Sequence, residues 1–250
     1  MCVFFICVFD SGLTVFDSSC FAVAGPVKNS RCEMTNLNWR LDSVAIERSF
    51  RIPKVSVIND FAAIGYGIMG LDPSQLRGPI AIIGPGTGLG RGFLVCLNTT
   101  GWNSQPTQGS HALFAPKNQI GVQLMILLSL RISIASCVAK MISNATKLSP
   151  QRCLQYCFVN DVLNVRSQGS ECLGAALRVL ATGGVYIAGG IPPKILPLIT
   201  ETPVLIKAFE NCSPPMRDVV TRFPLKVVSD PNVGLLGAKV CYQFIDLSCE

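Results

Sequence analysis

Short apolar runs punctuate the chain at residues 3–9, 21–24, 55–58, 80–83, 93–97, 185–188 and 225–228. They are mostly β-branched or aromatic and read as strands. A second period runs through residues 60–68, 118–134, 171–181 and 233–244, where apolar residues recur three and four apart and predict helices. Strands alternating with helices predict an α/β architecture. Gly70-Leu71-Asp72-Pro73 reads as a hinge between its halves. Residues 140–168 lack a clear period and are expected to be the least ordered part.

Composition narrows the picture. Only 14% of the 250 residues are charged, and the mean hydropathy is +0.44. Such values fit extensive burial, a missing polar partner or a chain trimmed of surface segments. The net charge of +6 comes from scattered Lys and Arg without a basic run, so a nucleic-acid footprint is not supported. The twelve cysteines contain no Cys-x-x-Cys, and there is one histidine, so no metal frame is expected. Free buried thiols in the cytosol are the simple reading. The apolar run that begins at Cys2 is short, lacks a basic flank and meets Asp10, so neither a signal peptide nor a membrane span is expected.

Candidate chemistry starts at Gly84-Pro85-Gly86-Thr87-Gly88-Leu89-Gly90, between two strand-like runs. Its glycines permit positive φ and let bare N–H groups approach an anion, to which the Thr87 hydroxyl can add a hydrogen bond. Leu89 breaks the dinucleotide fingerprint, and the Gly-Lys-Ser/Thr ending of the Walker loop is absent. The hairpin is thus either a tight structural turn or a phosphate site of another kind. Asp60 follows the strand-like run 55–58 at a helix start, where it either caps the first turn or offers a carboxylate base. A second glycine loop, with Gly183, Gly184, Gly189 and Gly190, brackets the run 185–188 and suits close approach of a flat ring or ribose.

Seven ordered blocks resemble bacterial-type glucokinase: Phe21 to Val27, Thr35 to Trp39, Val57 to Phe61, Gly84 to Gly90, His111 to Pro116, Gly183 to Ile191 and Ser229 to Ala238. The resemblance implies the actin-like (ribonuclease H-like) fold of two α/β domains, with glucose as acceptor, ATP and Mg²⁺ as co-substrates, and a cytoplasmic enzyme. Residues 1–69 would be a remnant of the small domain, joined by a C-terminal helix over 238–250, and residues 78–237 would form the large domain. Asp60 falls on the family's catalytic base and Asn59 beside it on a sugar partner. Gly86, Thr87 and Gly88 fall on the phosphate hairpin, Gly189 and Gly190 on the adenosine-side loop, and His111 on the sugar-contacting histidine. No resident metal site, nucleic acid or membrane is implied; a homodimer stays open.

Departures from the family are specific. Its N-terminal Asp-x-Gly-Gly-Thr phosphate loop is matched only in part by Asp10-Ser11-Gly12-Leu13-Thr14, and the six residues 15–20 are too few for the two strands that follow it. Most of the opening sheet is therefore expected to be absent. The family's Glu-Gly-Gly-His reads Gln108-Gly109-Ser110-His111, which exchanges a charged acceptor for an amide at a cost of about 1 kcal/mol. A second sugar-binding glutamate aligns with Ala135. Two readings stay open: an ATP-dependent glucokinase, or a catalytically impaired or incomplete relative with residual sugar and nucleotide binding. A sugar-responsive regulator on a related fold has little support, because no helix-turn-helix or cysteine-bound zinc motif is visible.

Overall fold

A computed structural model describes residues 4–10, 16–34, 39–71, 77–85, 89–97, 101–107 and 162–247. The chain opens with β1 (Phe4–Asp10) and β2 (Phe16–Val23), an antiparallel pair in which Phe4 faces Val23 and Cys7 faces Cys20. Strand β6 (Lys54–Asn59) runs parallel to β2, with Val23 beside Asn59 and Ser18 beside Lys54. The sheet order is β1-β2-β6. Strand β2 starts before the apolar run that predicts it because Asp17, Ser18 and Ser19 hide its first half from a hydropathy pattern.

Between β2 and β6 lies a small meander of β3 (Val27–Lys28), β4 (Arg31–Glu33) and β5 (Arg40–Asp42). Asn29 and Ser30 both take positive φ, 52° and 54°, as a two-residue hairpin turn with right-handed strand twist requires. Strands this short carry no readable alternation, which is why the pattern missed them. Helix α1 (Ser43–Phe50) follows, capped by Asp42, whose carboxylate accepts from Val44 N–H at 3.1 Å.

The main sheet orders β11 (Leu225–Val227), β10 (Gly184–Ile187), β7 (Ile80–Pro85), β8 (Leu89–Leu97) and β9 (Gly101–Thr107). Strand β10 is parallel to β7 and β11, whereas β7, β8 and β9 form an antiparallel meander. Alternate residues of β7 serve two cores, as the period of two dictates. Ala81 and Ile83 pack with Val185 and Ile187 under helix α3 (Val162–Val179) and the helices α4 (Leu196–Glu201), α5 (Val204–Phe209) and α6 (Pro214–Val220). Ile80 and Ile82 pack with Leu94 and Tyr186 under α2 (Asp60–Leu71) and α7 (Val233–Leu247). Helices α2 and α7 cross closely: a Cβ at Gly237 would overlap the Ala63 carbonyl, and one at Gly67 would overlap Val233. Gly237 of the block 229–238 thus has a structural reason. Helix α7 also reaches across to β1 and β2.

Helix α3 corrects one expectation. Residues 162–168, read as the least ordered end of 140–168, form its first two turns, and Val165 and Gln168 are buried there. Asn164, Arg166 and Ser167 between them dilute the apolar period, so that packing rather than local pattern makes this part helical. The predicted helix 118–134 lies outside the described residues, as do Asp72 and Pro73 of the hinge; Gly70 and Leu71 complete α2. Among the described residues, Cys32, Cys96, Cys172, Cys212 and Cys241 are free thiols, and no helix is long and apolar enough to cross a membrane.

Candidate active site

The junction of β6 and α2 sets the first group. Asn59 ends the strand, and its carboxamide oxygen accepts from the N–H groups of Phe61 at 2.9 Å and Ala62 at 3.4 Å. Its amide nitrogen donates to the Gly25 carbonyl at 2.9 Å. Asn59 is therefore the cap of α2 and a tie to the loop after β2. Both lone pairs of its oxygen and one N–H are thereby engaged within the protein, and the Asn59 side chain also hydrogen-bonds the Asp60 carboxyl. Asp60 occupies the first helical position, half-buried, and accepts from Phe61 N–H at 3.0 Å. Burial pushes its carboxyl up from the ordinary 3.8 to about 6, against the opposing pull of backbone and Asn59 hydrogen bonds. Cys32 of β4 lies within its field: burial raises the Cys32 thiol, and the charges of Asp60 and Glu33 raise it further.

The second group is the hairpin. Strands β7 and β8 pair from Ile80↔Leu94 to Pro85↔Leu89, which leaves residues 86–88 as the connection between them. The antiparallel hairpin expected from the two flanking apolar runs is thus present, while Gly86, Thr87 and Gly88 lie outside the described residues. Gly84 and Gly90 face each other in the ladder, and a Cβ on either would overlap the Phe61 ring. Phe61 directly follows Asp60, so this aromatic seat ties the start of α2 to the end of the hairpin. The sequence carried a signal for it: two glycines at paired positions leave room for one large neighbour.

A third group arrives on β10. Because β10 runs parallel to β7, its carboxyl end lies beside Pro85, and Ala188 N–H donates to the Ile83 carbonyl at 2.8 Å. Gly189 has φ +107° and stands against the Pro85 carbonyl, a conformation that only glycine takes without strain. A Cβ at Gly190 would meet nothing within 4 Å, which leaves open space beside the loop. Asp60, the hairpin end and Gly189-Gly190 thus converge at the carboxyl ends of β6, β7 and β10, where open α/β sheets bind ligands. Gln108 and His111 lie outside the described residues.

Asp10 does not join this assembly. Strand β1 runs against β2, so that Phe4 lies at the Val23–Asn59 end while Asp10 lies opposite Phe16 at the other end. Six strand steps, about 20 Å, separate the two ends. Sequence reasoning also missed an ion pair between Arg91 of β8 and Glu171 of α3. No local pattern links residues eighty positions apart.

Comparison with known proteins covers the same regions. The glucokinase family model matches residues 5–143 and 139–244. A glucokinase of Trichormus variabilis is 34% identical over 281 aligned positions, which cover 90% of this chain and 81% of that one. The solved structure of a glucokinase from an Antarctic psychrotroph aligns with a TM-score of 0.68 at 24% identity, over 90% of this chain and 79% of that chain. A ROK family glucokinase from Streptomyces griseus, in complex with glucose and AMPPNP, aligns with a TM-score of 0.52 at 18% identity, over 87% and 78%. The family match spans both sheets and includes the β6–α2 junction, the hairpin and the glycine loop, and the solved kinases share the actin-like α/β fold. On these grounds the chain belongs to the glucokinase family.

Proposed function

We propose that this chain phosphorylates glucose with ATP and that Asp60 is the general base. One observation carries the reading: the half-buried Asp60 carboxyl, pushed up to about 6, is fastened through Phe61 to the glycine pair of the hairpin. A base near that value is largely ionised at pH 7.5 yet holds a proton more strongly than an ordinary carboxylate. Asp60 takes the proton from the sugar's primary hydroxyl as that oxygen attacks the terminal phosphorus of ATP, whose bond to the bridging oxygen breaks and releases ADP. Residues 86–88 supply N–H donors and the Thr87 hydroxyl to the phosphoryl oxygens, a contribution of positioning and charge stabilisation. Asn59, Gln108 and His111 are the sugar contacts carried over from the family, and Asn59 reaches a sugar hydroxyl by exchanging one of its hydrogen bonds within the protein.

The residues fit the nucleotide. Gly189 and Gly190 leave the loop without a Cβ in a direction that is open, which suits a ribose or flat ring, and the Streptomyces relative holds AMPPNP in its structure. Among the described residues no three metal-ligating side chains cluster. Magnesium would arrive with the phosphates and would neutralise their charge.

A second reading, a relative with impaired catalysis, draws support from the placement of Asp10 at the far end of its sheet. The family's second phosphate loop would then be missing. A coupled assay of glucose 6-phosphate formation by the purified chain separates the two. Turnover that depends on ATP and glucose supports the first. Its absence, together with calorimetric glucose binding weaker than millimolar that improves in a Gln108→Glu, Ala135→Glu double variant, supports the second.

A further inference from the structure

The hairpin is gripped on two faces. Gly90 and Gly92 turn toward Phe61, while Leu89 and Phe93 pack into the core under α3. Arg91 lies between those two on the α3 side, as the period of two requires. Its guanidinium donates to the Glu171 carboxylate, with side-chain exposures of 12% and 28%. Its own carbonyl accepts from the Thr107 hydroxyl of β9 at 3.1 Å. The Arg91 Nε is buried without a partner among the described residues, so the pair is held at some cost in unmet hydrogen bonding. An apolar pair would fill the same place and match or exceed this stability, but without a fixed direction. An Arg–carboxylate contact has one preferred geometry and resists sliding.

We propose that Arg91 and Glu171 are positioning residues, which fix the Pro85–Leu89 end of the hairpin from the face opposite Phe61 and through it the affinity for the nucleotide phosphates. The inference rests on the reading of the hairpin as the phosphate-holding element. Calorimetry on the full chain with Mg²⁺ and AMPPNP tests it without requiring turnover, beside thermal melts and glucose titrations. Glu171→Gln should weaken AMPPNP binding roughly tenfold, while glucose binding stays within about twofold. The Arg91→Met, Glu171→Leu double variant should melt no lower than the parent and still bind AMPPNP as poorly as Glu171→Gln. The exchanged pair Arg91→Glu, Glu171→Arg should recover most of the loss. An apolar double variant that binds AMPPNP like the parent would show a packing contact only and overturn the inference alone. A parent that binds no AMPPNP would overturn the phosphate-hairpin reading and this inference with it.

Discussion

The main sheet and the opening sheet are built to different standards. In the main sheet Ile80, Ala81, Ile82 and Ile83 are completely buried and feed two cores, each closed by helices. In the opening sheet the first half of β2 carries Ser18 and Ser19, almost equally buried, with hydroxyls that have no hydrogen-bond partner among the described residues. Each such group costs about 1–3 kcal/mol. The main sheet brings two glycine loops to its carboxyl edge and braces one of them from both faces. The opening sheet brings Asp60, at the end of β6, but sends Asp10 the opposite way. The lesson is that half of the site is preorganised by a saturated core, while the half that the family fills with its first strand is not.

The largest effect expected from breaking this contrast falls on Asp60. Asp60→Asn should lower turnover by about 10²–10⁴, the usual contribution of a positioned base, with glucose affinity changed only a few-fold. In the parent, kcat/KM should rise with pH through about 6 and level above it, since the base works deprotonated. The sign for stability is opposite. The folded value of about 6 exceeds the ordinary 3.8, so the stabilising contribution is complete below about pH 4 and is lost as pH rises through 6. Urea melts at pH 8 should therefore show Asp60→Asn more stable than the parent, on the order of 1–2 kcal/mol after solvent screening. That advantage should vanish near pH 4, and undiminished turnover would reduce Asp60 to a helix-start residue.

Packing supplies the next effect. Ile82→Ala empties a fully buried position and should cost about 2–5 kcal/mol in denaturant melts. Ser19→Ala in the opening sheet should be neutral or stabilising by up to about 1 kcal/mol, because it removes an unsatisfied hydroxyl. A Ser19→Ala loss as large as that of Ile82→Ala would mean that the two sheets do not differ in kind.

What could be read along the chain were features with a local cause. The run 80–83 is a strand in any context because it is short, β-branched and flanked by glycine and proline. The glycines from 84 to 90 announce a turn because φ and steric room belong to each residue. The family blocks marked Asp60 and Asn59 as candidates; in the structure Asn59 is the helix cap and Asp60 occupies the first helical position, its carboxyl accepting from Phe61 N–H. Features that depend on which surfaces meet were not readable. The direction of β1 follows from pairing across a short connection, and the helicity of residues 162–168 from the core that receives Val165. The raised Asp60 carboxyl, the Phe61 seat on Gly84 and Gly90, and the Arg91–Glu171 brace exist only once distant segments have excluded water from between them, because burial and charge act through space rather than along the chain.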